Sequence, residues 1–250
     1  MIFLFDLDGT IVFKGQPIDK RIVKALRKLE SEGHQIIFAS ARPIRDMLPL
    51  TTKDFPHNFL IGGNGSIIQS EYERKIVGNI PLNTFCELKE LILKYDLDYL
   101  VDSEWNYSLK NRNDVLARIN DKVDTLKLAR NVKLSSIKQS IKCIILNIPN
   151  DLYEILYKQF SNMPLNIIKH EEGSSIDLTA ENINKYTTFR KFFPSNEFFA
   201  FGNDYNDIEI LMKARKSITI GENKSVMKLG DVNLPSDNSK IAYYIENFKT

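Results

Sequence analysis

The stretch Met1-Ile2-Phe3-Leu4-Phe5-Asp6-Leu7-Asp8-Gly9-Thr10-Ile11, residues 1–11, decides how the rest of the chain is read. Ile2 to Phe5 form a short apolar run of the kind that makes a buried strand, and the run stops at Asp6 and Asp8. Two carboxylates where a strand leaves a core repel each other, and they need a cation, a proton or strong donors close by. Gly9 permits a turn, and Thr10 adds a hydroxyl beside it. Ligand sites of open α/β sheets lie beyond the carboxyl ends of their strands, so this ending is a place for chemistry. A solvated acidic turn after a strand is the plainer reading of the same residues.

The surroundings set the class of protein. The chain has 250 residues, 43% hydrophobic and 26% charged, with 34 basic against 32 acidic residues. That length supports one large domain or a core with a smaller insert, and the near-neutral balance offers no argument for nucleic acid or a membrane surface. No apolar run approaches the ~18 residues of a membrane span, and the apolar start lacks the basic region of a signal peptide. Cys86 and Cys143 stand far apart without metal-type spacing, which points to a reducing cytoplasm and to two core cysteines.

Outward from residue 11, Gly15 and Pro17 mark a turn or small flap, and Asp19 is placed to cap a helix carrying Ile22, Val23, Leu26 and Leu29. A strand at 35–39 leads to Ser40, Ala41 and Arg42, with Pro43 placed to open a helix. A further strand at 59–61 runs into Gly62, Gly63, Asn64 and Gly65. This alternation predicts a doubly wound parallel α/β sheet. Near Ile80 the rhythm changes. A helix at 82–95 is followed by β-like runs at 99–102 and 107–109, a polar helical stretch at 113–129, and strands at 132–134 and 142–148. Then come a helix carrying Leu152, Ile155, Leu156 and Phe160, and strands at 165–169 and 175–178. The grouping is α+β, so residues 81–178 are expected to form an inserted domain and residues 1–80 with 179–250 the core. Alternation resumes with a helix at 187–193 and a strand at 198–201 that enters Gly202-Asn203-Asp204-Tyr205-Asn206-Asp207. A helix burying Ile208, Leu211 and Met212 follows, then strands at 217–220 and 232–234 and a closing helix at 239–247.

Four polar points thus follow apolar strands or open helices: Asp6 with Asp8, Ser40, Lys185, and residues 203–207. Together they supply what phosphoryl transfer requires: a carboxylate nucleophile, an ammonium and a hydroxyl for the phosphoryl oxygens, and oxygen ligands suited to Mg²⁺. Taken singly, Ser40 reads equally as a helix cap and Lys185 as a surface charge. Asn64 fits a left-handed backbone as well as a phosphate contact. His34, His57 and His170 do not cluster, which argues against a histidine metal site.

FDLDGT resembles the first motif of the haloacid dehalogenase-like hydrolases, FASAR the second, and Lys185 after DLTAENIN the third by position. FGNDYNDIEIL is similar to the fourth, and LIGGNGSII resembles the segment before the insert of the Cof-type subgroup. The resemblance covers nearly the whole chain and implies a Rossmann-like core with a C2B-type α+β cap that governs substrate choice. It further implies a Mg²⁺-dependent phosphatase of the cytoplasm, a monomer or weak homodimer, with a small phosphorylated metabolite as its partner. By the same resemblance Asp6 is the nucleophile and Asp8 the general acid and base, while Ser40, Lys185, Arg42 and Asn64 meet the phosphate. Asp6, Asp8, Asn203, Asp204 and Asp207 are the metal set. Two departures stand out: Tyr186 replaces the usual glycine after the lysine, and Asn203 occupies the position of an acidic ligand, leaving Asn203 and Asp204 as alternatives for that role. Trp105, in the tight turn after Asp102, and Asn206 are candidate substrate contacts. A phosphomutase and a weakly active phosphate-binding regulatory module are the other functions compatible with these residues.

Overall fold

The structure is a computed structural model that describes residues 1–51, 53–112, 123–169 and 174–249. The chain begins with β1 (Ile2–Asp6), α1 (Lys20–Ser31), β2 (Gln35–Ala39), α2 (Ile44–Thr51) and β3 (Phe59–Gly62). After a single 3₁₀ turn at Gly63–Gly65 it adds a hairpin, β4 (Ile67–Gln69) and β5 (Arg74–Ile76), that the sequence reading lacked. A second group follows: α3 (Leu82–Lys94), β6 (Asp98–Asp102), β7 (Tyr107–Lys110), β8 (Lys142–Leu146), α4 (Asn150–Ser161), β9 (Leu165–Lys169) and β10 (Ile176–Ala180). The chain then returns through α5 (Lys185–Phe192), β11 (Phe198–Gly202), α6 (Ile208–Lys213), β12 (Lys216–Ile220), α7 (Lys224–Met227), β13 (Val232–Leu234) and α8 (Asn238–Glu246).

Two sheets result. The larger has the order β13-β12-β11-β1-β2-β3-β4-β5, parallel from β13 to β3 and antiparallel at its last two strands. β1 lies in its middle, and side-chain alternation along it serves both faces. Phe3 and Phe5 pack with Ile22 and Leu26 of α1 and Ile241 and Ile245 of α8, whereas Ile2 and Leu4 pack with Phe189 of α5 and Leu211 of α6. Burial on both sides explains why β1 and β11 read as continuous apolar runs. Among the described residues, no helix is long and apolar enough to cross a membrane.

The smaller sheet, β7-β6-β8-β10-β9, is antiparallel throughout. Its outer face is apolar: Val101, Cys143, Ile145 and Leu178 pack against Phe85 and Leu88 of α3 and Phe160 of α4. Its inner face is polar. Asp102 and Lys142 are direct cross-strand partners, and Asp177 sits opposite Ile144 on the same face. Arg45 of α2 reaches up to this face with its side chain fully buried. It donates to Asp102 Oδ1 at 2.6 Å and to the Trp105 carbonyl at 2.9 Å, and it stacks over the Tyr107 ring at 4.5 Å.

Several local expectations fail for identifiable reasons. The expected helix at 113–129 falls partly outside the described residues. Its described end, 123–129, is a series of turns in which Asp124 and Lys127 adopt φ of 50° and 53°, a left-handed backbone that no α-helix accommodates. The expected strand at 132–134 makes only an isolated bridge from Asn131 to Tyr107 before a 3₁₀ turn at Leu134–Ser136. Met212 is 62% exposed, because the short α6 turns Ile210 and Leu211 inward instead. Ile155 and Cys86 likewise lie on the outer sides of their helices. α5 starts at Lys185, two residues before its expected beginning, because Asn184 and Thr187 form a reciprocal cap ahead of it.

Candidate active site

The carboxyl ends of β1, β2, β3 and β11 converge, and the loops leaving them carry the polar residues singled out above. Asp6 closes β1 and is 4% exposed. Lys185, the first residue of α5, is completely buried. Its ammonium donates to Asp6 Oδ1 at 2.5 Å and to Asp207 Oδ1 at 2.7 Å. The other oxygen of Asp207 accepts the backbone N–H of Asn203 at 3.0 Å and of Asp204 at 3.2 Å, so this carboxylate shapes the loop after β11 and fixes the ammonium at once. Thr10 Oγ1 completes the hold on Asp6 with a 2.8 Å hydrogen bond to Oδ2.

Close approach of these loops depends on two glycines with positive φ. A Cβ on Gly9 (φ 81°) would lie 2.2 Å from the Asn203 amide, and one on Gly65 (φ 102°) would lie 2.3 Å from the Asn184 carbonyl oxygen. Gly9 therefore lets Asn203 lie against the first loop, and Gly65 lets the turn after β3 lie against the cap of α5.

The electrostatics follow from burial. Desolvation pushes the Asp6 carboxyl up to about 7, aided by the charge of Asp207 and opposed by Lys185. Burial works against the charged form of Lys185, but Asp207 and Asp6 outweigh it and hold the ammonium above the ordinary lysine range. Asp8 lies nearer solvent and is gripped by Arg42 through two hydrogen bonds, Nε to Oδ2 at 2.6 Å and Nη2 to Oδ1 at 2.7 Å. The guanidinium of Arg42 is thus turned onto Asp8. Ser40 Oγ, buried, accepts the Arg42 N–H at 3.1 Å. Asn64 sits at φ 55° and links Asn206 Nδ2, which donates to its Oδ1 at 3.0 Å, with Asp177.

Oxygen atoms that could hold a cation also meet here. The outer amide atom of Asn203 lies 2.9 Å from the main-chain oxygen of Asp8, 3.1 Å from Asp6 Oδ2 and 3.0 Å from Thr10 Oγ1. Turned with its nitrogen toward them, the amide donates to these oxygens; turned with its oxygen toward them, it accepts the Thr10 hydroxyl at 3.0 Å and lies beside a carboxylate and a carbonyl oxygen to which it offers no proton. Oxygens about 3 Å apart are spaced as neighbouring ligands around a small cation with bonds of about 2.1 Å. The donor set fits a hard cation. Asp204, by contrast, turns Oδ1 onto the N–H of Tyr205 at 2.8 Å, and both oxygens of Asp207 are occupied as described. Among the described residues, no cluster of three or more histidine, cysteine or acidic side chains is poised for a metal, because this set uses one carboxylate, one main-chain oxygen and one amide.

A cavity of about 590 Å³ opens beside Lys185, lined by Asn64, Asn166, Asn184, Tyr205, Asn206 and Glu209 among others. Asn206 Oδ1 is buried there without a hydrogen-bond partner. Trp105 is committed elsewhere: its indole N–H donates to the Leu128 carbonyl at 2.7 Å and its ring lies 3.9 Å from the Arg74 guanidinium. Tyr186 packs in the apolar layer beneath the sheet, next to Phe198 and Arg190. His34 and His57 lie away from the site on the opposite edge of the strands, at a surface hollow near Gln35 and Phe59, and His170 falls outside the described residues. Sequence reasoning missed Arg45, Lys142 and Asp177. The available signal was a charge at an inward position of an otherwise apolar strand, as in Lys142-Cys143-Ile144-Ile145-Leu146.

With this geometry established, likeness to known proteins becomes informative. Residues 3–239 match the family model described as haloacid dehalogenase-like hydrolase. The chain is 19% identical over 252 aligned positions, 91% of its length and 88% of the other's, to the 5-amino-6-(5-phospho-D-ribitylamino)uracil phosphatase YitU of Bacillus subtilis (strain 168). Its fold superposes on TM0651 from Thermotoga maritima with a TM-score of 0.82 at 20% identity, covering 100% of this chain and 97% of that one. It also superposes on the HAD subclass IIB sugar phosphatase BT4131 with a TM-score of 0.80 at 20% identity, covering 99% and 98%.

Replacing Lys185 by Met strands Asp6 and Asp207 as buried, unpaired carboxylates. Such a change is expected to cost about 3–5 kcal/mol at pH 8. The folded variant then binds protons more tightly than the unfolded chain, so the deficit shrinks as pH falls toward 5. Urea unfolding at the two pH values measures it, and an equal loss at both contradicts the burial argument.

Proposed function

The chain belongs to the haloacid dehalogenase-like hydrolase family, and on that premise we propose that it is a cytoplasmic, Mg²⁺-dependent phosphomonoester hydrolase acting on a small phosphorylated metabolite. The observation that carries this reading is the environment of Asp6. A buried carboxylate at the end of the central strand, held by an ammonium on one oxygen and a hydroxyl on the other, is a nucleophile with fixed direction and no competing solvent.

In the first half-reaction the Asp6 carboxylate attacks phosphorus in line. The bond from phosphorus to the ester oxygen breaks, and Asp8 delivers a proton to the departing alkoxide. In the second half-reaction Asp8 takes a proton from water as that water attacks phosphorus, which releases inorganic phosphate and restores Asp6. Arg42 aims Asp8 for both transfers and, by pairing with it, keeps its charge from adding to that of Asp6. Lys185 and the Ser40 hydroxyl stabilise charge on the phosphoryl oxygens, and Lys185 reduces repulsion between phosphate and carboxylate. Asp6, the main-chain oxygen of Asp8 and Asn203 would hold Mg²⁺, which when bound draws charge from the phosphoryl oxygens. Asp207 then acts as a support of the loop, its oxygens shared between Lys185 and two backbone amides, while Asp204, with Oδ1 on the Tyr205 N–H, caps the turn that follows.

Residues 81–178 are read as a cap whose polar inner face closes over this site and whose movement admits substrate. The adjacent cavity has the size of a small-metabolite pocket, and its asparagine lining suits a leaving group rich in hydroxyls or other hydrogen-bonding groups. The names of the phosphatases similar to this chain, one for a ribityl-bearing uracil and one for sugars, support the same substrate class.

The direct test is release of inorganic phosphate from a panel of phosphorylated metabolites, with Mg²⁺ or with chelator. The expected result is Mg²⁺-dependent turnover that falls at least about 10⁴-fold in Asp6→Asn, in the range set by loss of a catalytic nucleophile. Turnover surviving in that variant, or no release from any ester by folded, Mg²⁺-binding protein, contradicts the proposal. Because an amide brings one negative charge fewer than a carboxylate, Asn203→Asp is expected to lower the Mg²⁺ concentration for half-maximal activity by about tenfold or more. An unchanged Mg²⁺ requirement would remove Asn203 from the ligand set.

A further inference from the structure

Three consecutive carbonyls in the loop that carries Ser40 and Arg42 are each tied by a different donor. The Ser40 oxygen accepts the N–H of Asn64 at 3.0 Å, and the Arg42 oxygen accepts that of Gly63 at 2.7 Å. Both donors belong to the turn after β3, in the same layer. The middle carbonyl, Ala41, accepts instead from the ammonium of Lys142, 3.1 Å away, which comes from β8 in the opposite layer. Lys142 is 4% exposed, and its ammonium lies 2.6 Å from Asp177 Oδ2. Asp177 Oδ2 in turn accepts Asn64 Nδ2 at 3.4 Å.

The peptide plane between Ala41 and Arg42 is therefore held at both ends. Its oxygen takes a hydrogen bond from Lys142, and its N–H donates to Ser40 Oγ at 3.1 Å. A trans peptide is rigid, so fixing the carbonyl direction fixes the N–H direction opposite to it. Ser40 Oγ uses a lone pair to accept that N–H, which leaves its own proton to point elsewhere. Holding a buried ammonium against one carboxylate and one carbonyl is costly beside an apolar side chain of similar size. The arrangement thus calls for a use.

We propose that Lys142 is a positioning residue that makes the orientation of the Ser40 hydroxyl depend on closure of the cap. This role rests on the reading of the site as a phosphoryl pocket. With the cap down, the Lys142 ammonium pins the Ala41–Arg42 peptide and aims the Ser40 proton at the incoming phosphoryl oxygen. With the cap lifted, the two ties from the turn after β3 persist, the Ala41 carbonyl loses its donor, and the Ser40 hydroxyl is no longer held in one direction. The phosphate site is completed only when the cap has closed over substrate, so an ester that fails to draw the cap down meets an incomplete site.

Affinity for inorganic phosphate, measured by calorimetry in the presence of Mg²⁺, tests this without requiring turnover. Lys142→Met is expected to weaken phosphate binding about 10- to 100-fold, the range for a lost hydrogen bond from a charged group. Lys142→Arg is expected to recover most of the loss. Lys142→Met takes the ammonium away from the buried Asp177 carboxylate, so the paired change Lys142→Met with Asp177→Asn removes both charges together and is expected to show the same weakening. In a Ser40→Ala background the effect of Lys142→Met is expected to vanish, because the lysine acts through that hydroxyl. Undiminished phosphate affinity in the folded paired variant, or an equal effect of Lys142→Met with and without Ser40, overturns the proposal. Lys142-dependent phosphate binding in a protein that hydrolyses no ester would uphold the role of Lys142 while refuting the hydrolase reading.

Discussion

One buried ammonium organises this molecule. Lys185 has no exposure to water and sits between Asp6, at the end of β1, and Asp207, in the loop after the neighbouring β11. Burial of two carboxylates this close is untenable without a cation between them. Its presence dictates that α5 begin at residue 185, which the reciprocal cap of Asn184 and Thr187 arranges. It also dictates that the loop after β11 turn back on itself, which the second oxygen of Asp207 arranges by collecting two backbone N–H groups. The ion pairs close only where the end of β1, the loop after β11 and the start of α5 come together.

The proposed chemistry uses the same constraint. Burial pushes the Asp6 carboxyl up, and the groups that oppose that push are the ones the proposed catalysis needs. Lys185 is one; a hard cation among Asp6, the Asp8 carbonyl and Asn203 would be another. Arg42 holds the second carboxylate, Asp8, in a two-point grip of its own. Two adjacent aspartates are thereby given different surroundings, one enclosed and one open to solvent, as their different proposed tasks require.

Much of this was legible in the sequence, for physical reasons. Strands buried on both faces write continuous apolar runs, so β1, β2 and β11 and the polar residues that end them were plain to read. Asp19 as a cap and the change of rhythm near Ile80 were readable because caps and periodicity are local. Long-range facts were not readable. Nothing beside Arg42 says that it reaches Asp8, and nothing beside Asp207 says that its oxygens are shared between Lys185 and two backbone N–H groups. In the sequence Lys142 and Asp177 are indistinguishable from charges on the exposed face of an antiparallel sheet, which ordinarily tolerates them. Only the stacking of one layer on the other shows that this face is enclosed. The expected helix at 113–129 was misread at its described end because left-handed residues such as Asp124 and Lys127 carry no strong sequence mark unless they are glycine.

The central claim is that Asp6 carries the phosphoryl group. The measurement that tests it most directly is borohydride reduction of protein quenched during turnover, followed by peptide mass spectrometry, since an acyl phosphate is reduced where a free carboxylate is not. The account predicts homoserine at position 6 and an unaltered Asp8. Reduction at another carboxylate, or none at all in protein that is turning over substrate, would contradict it.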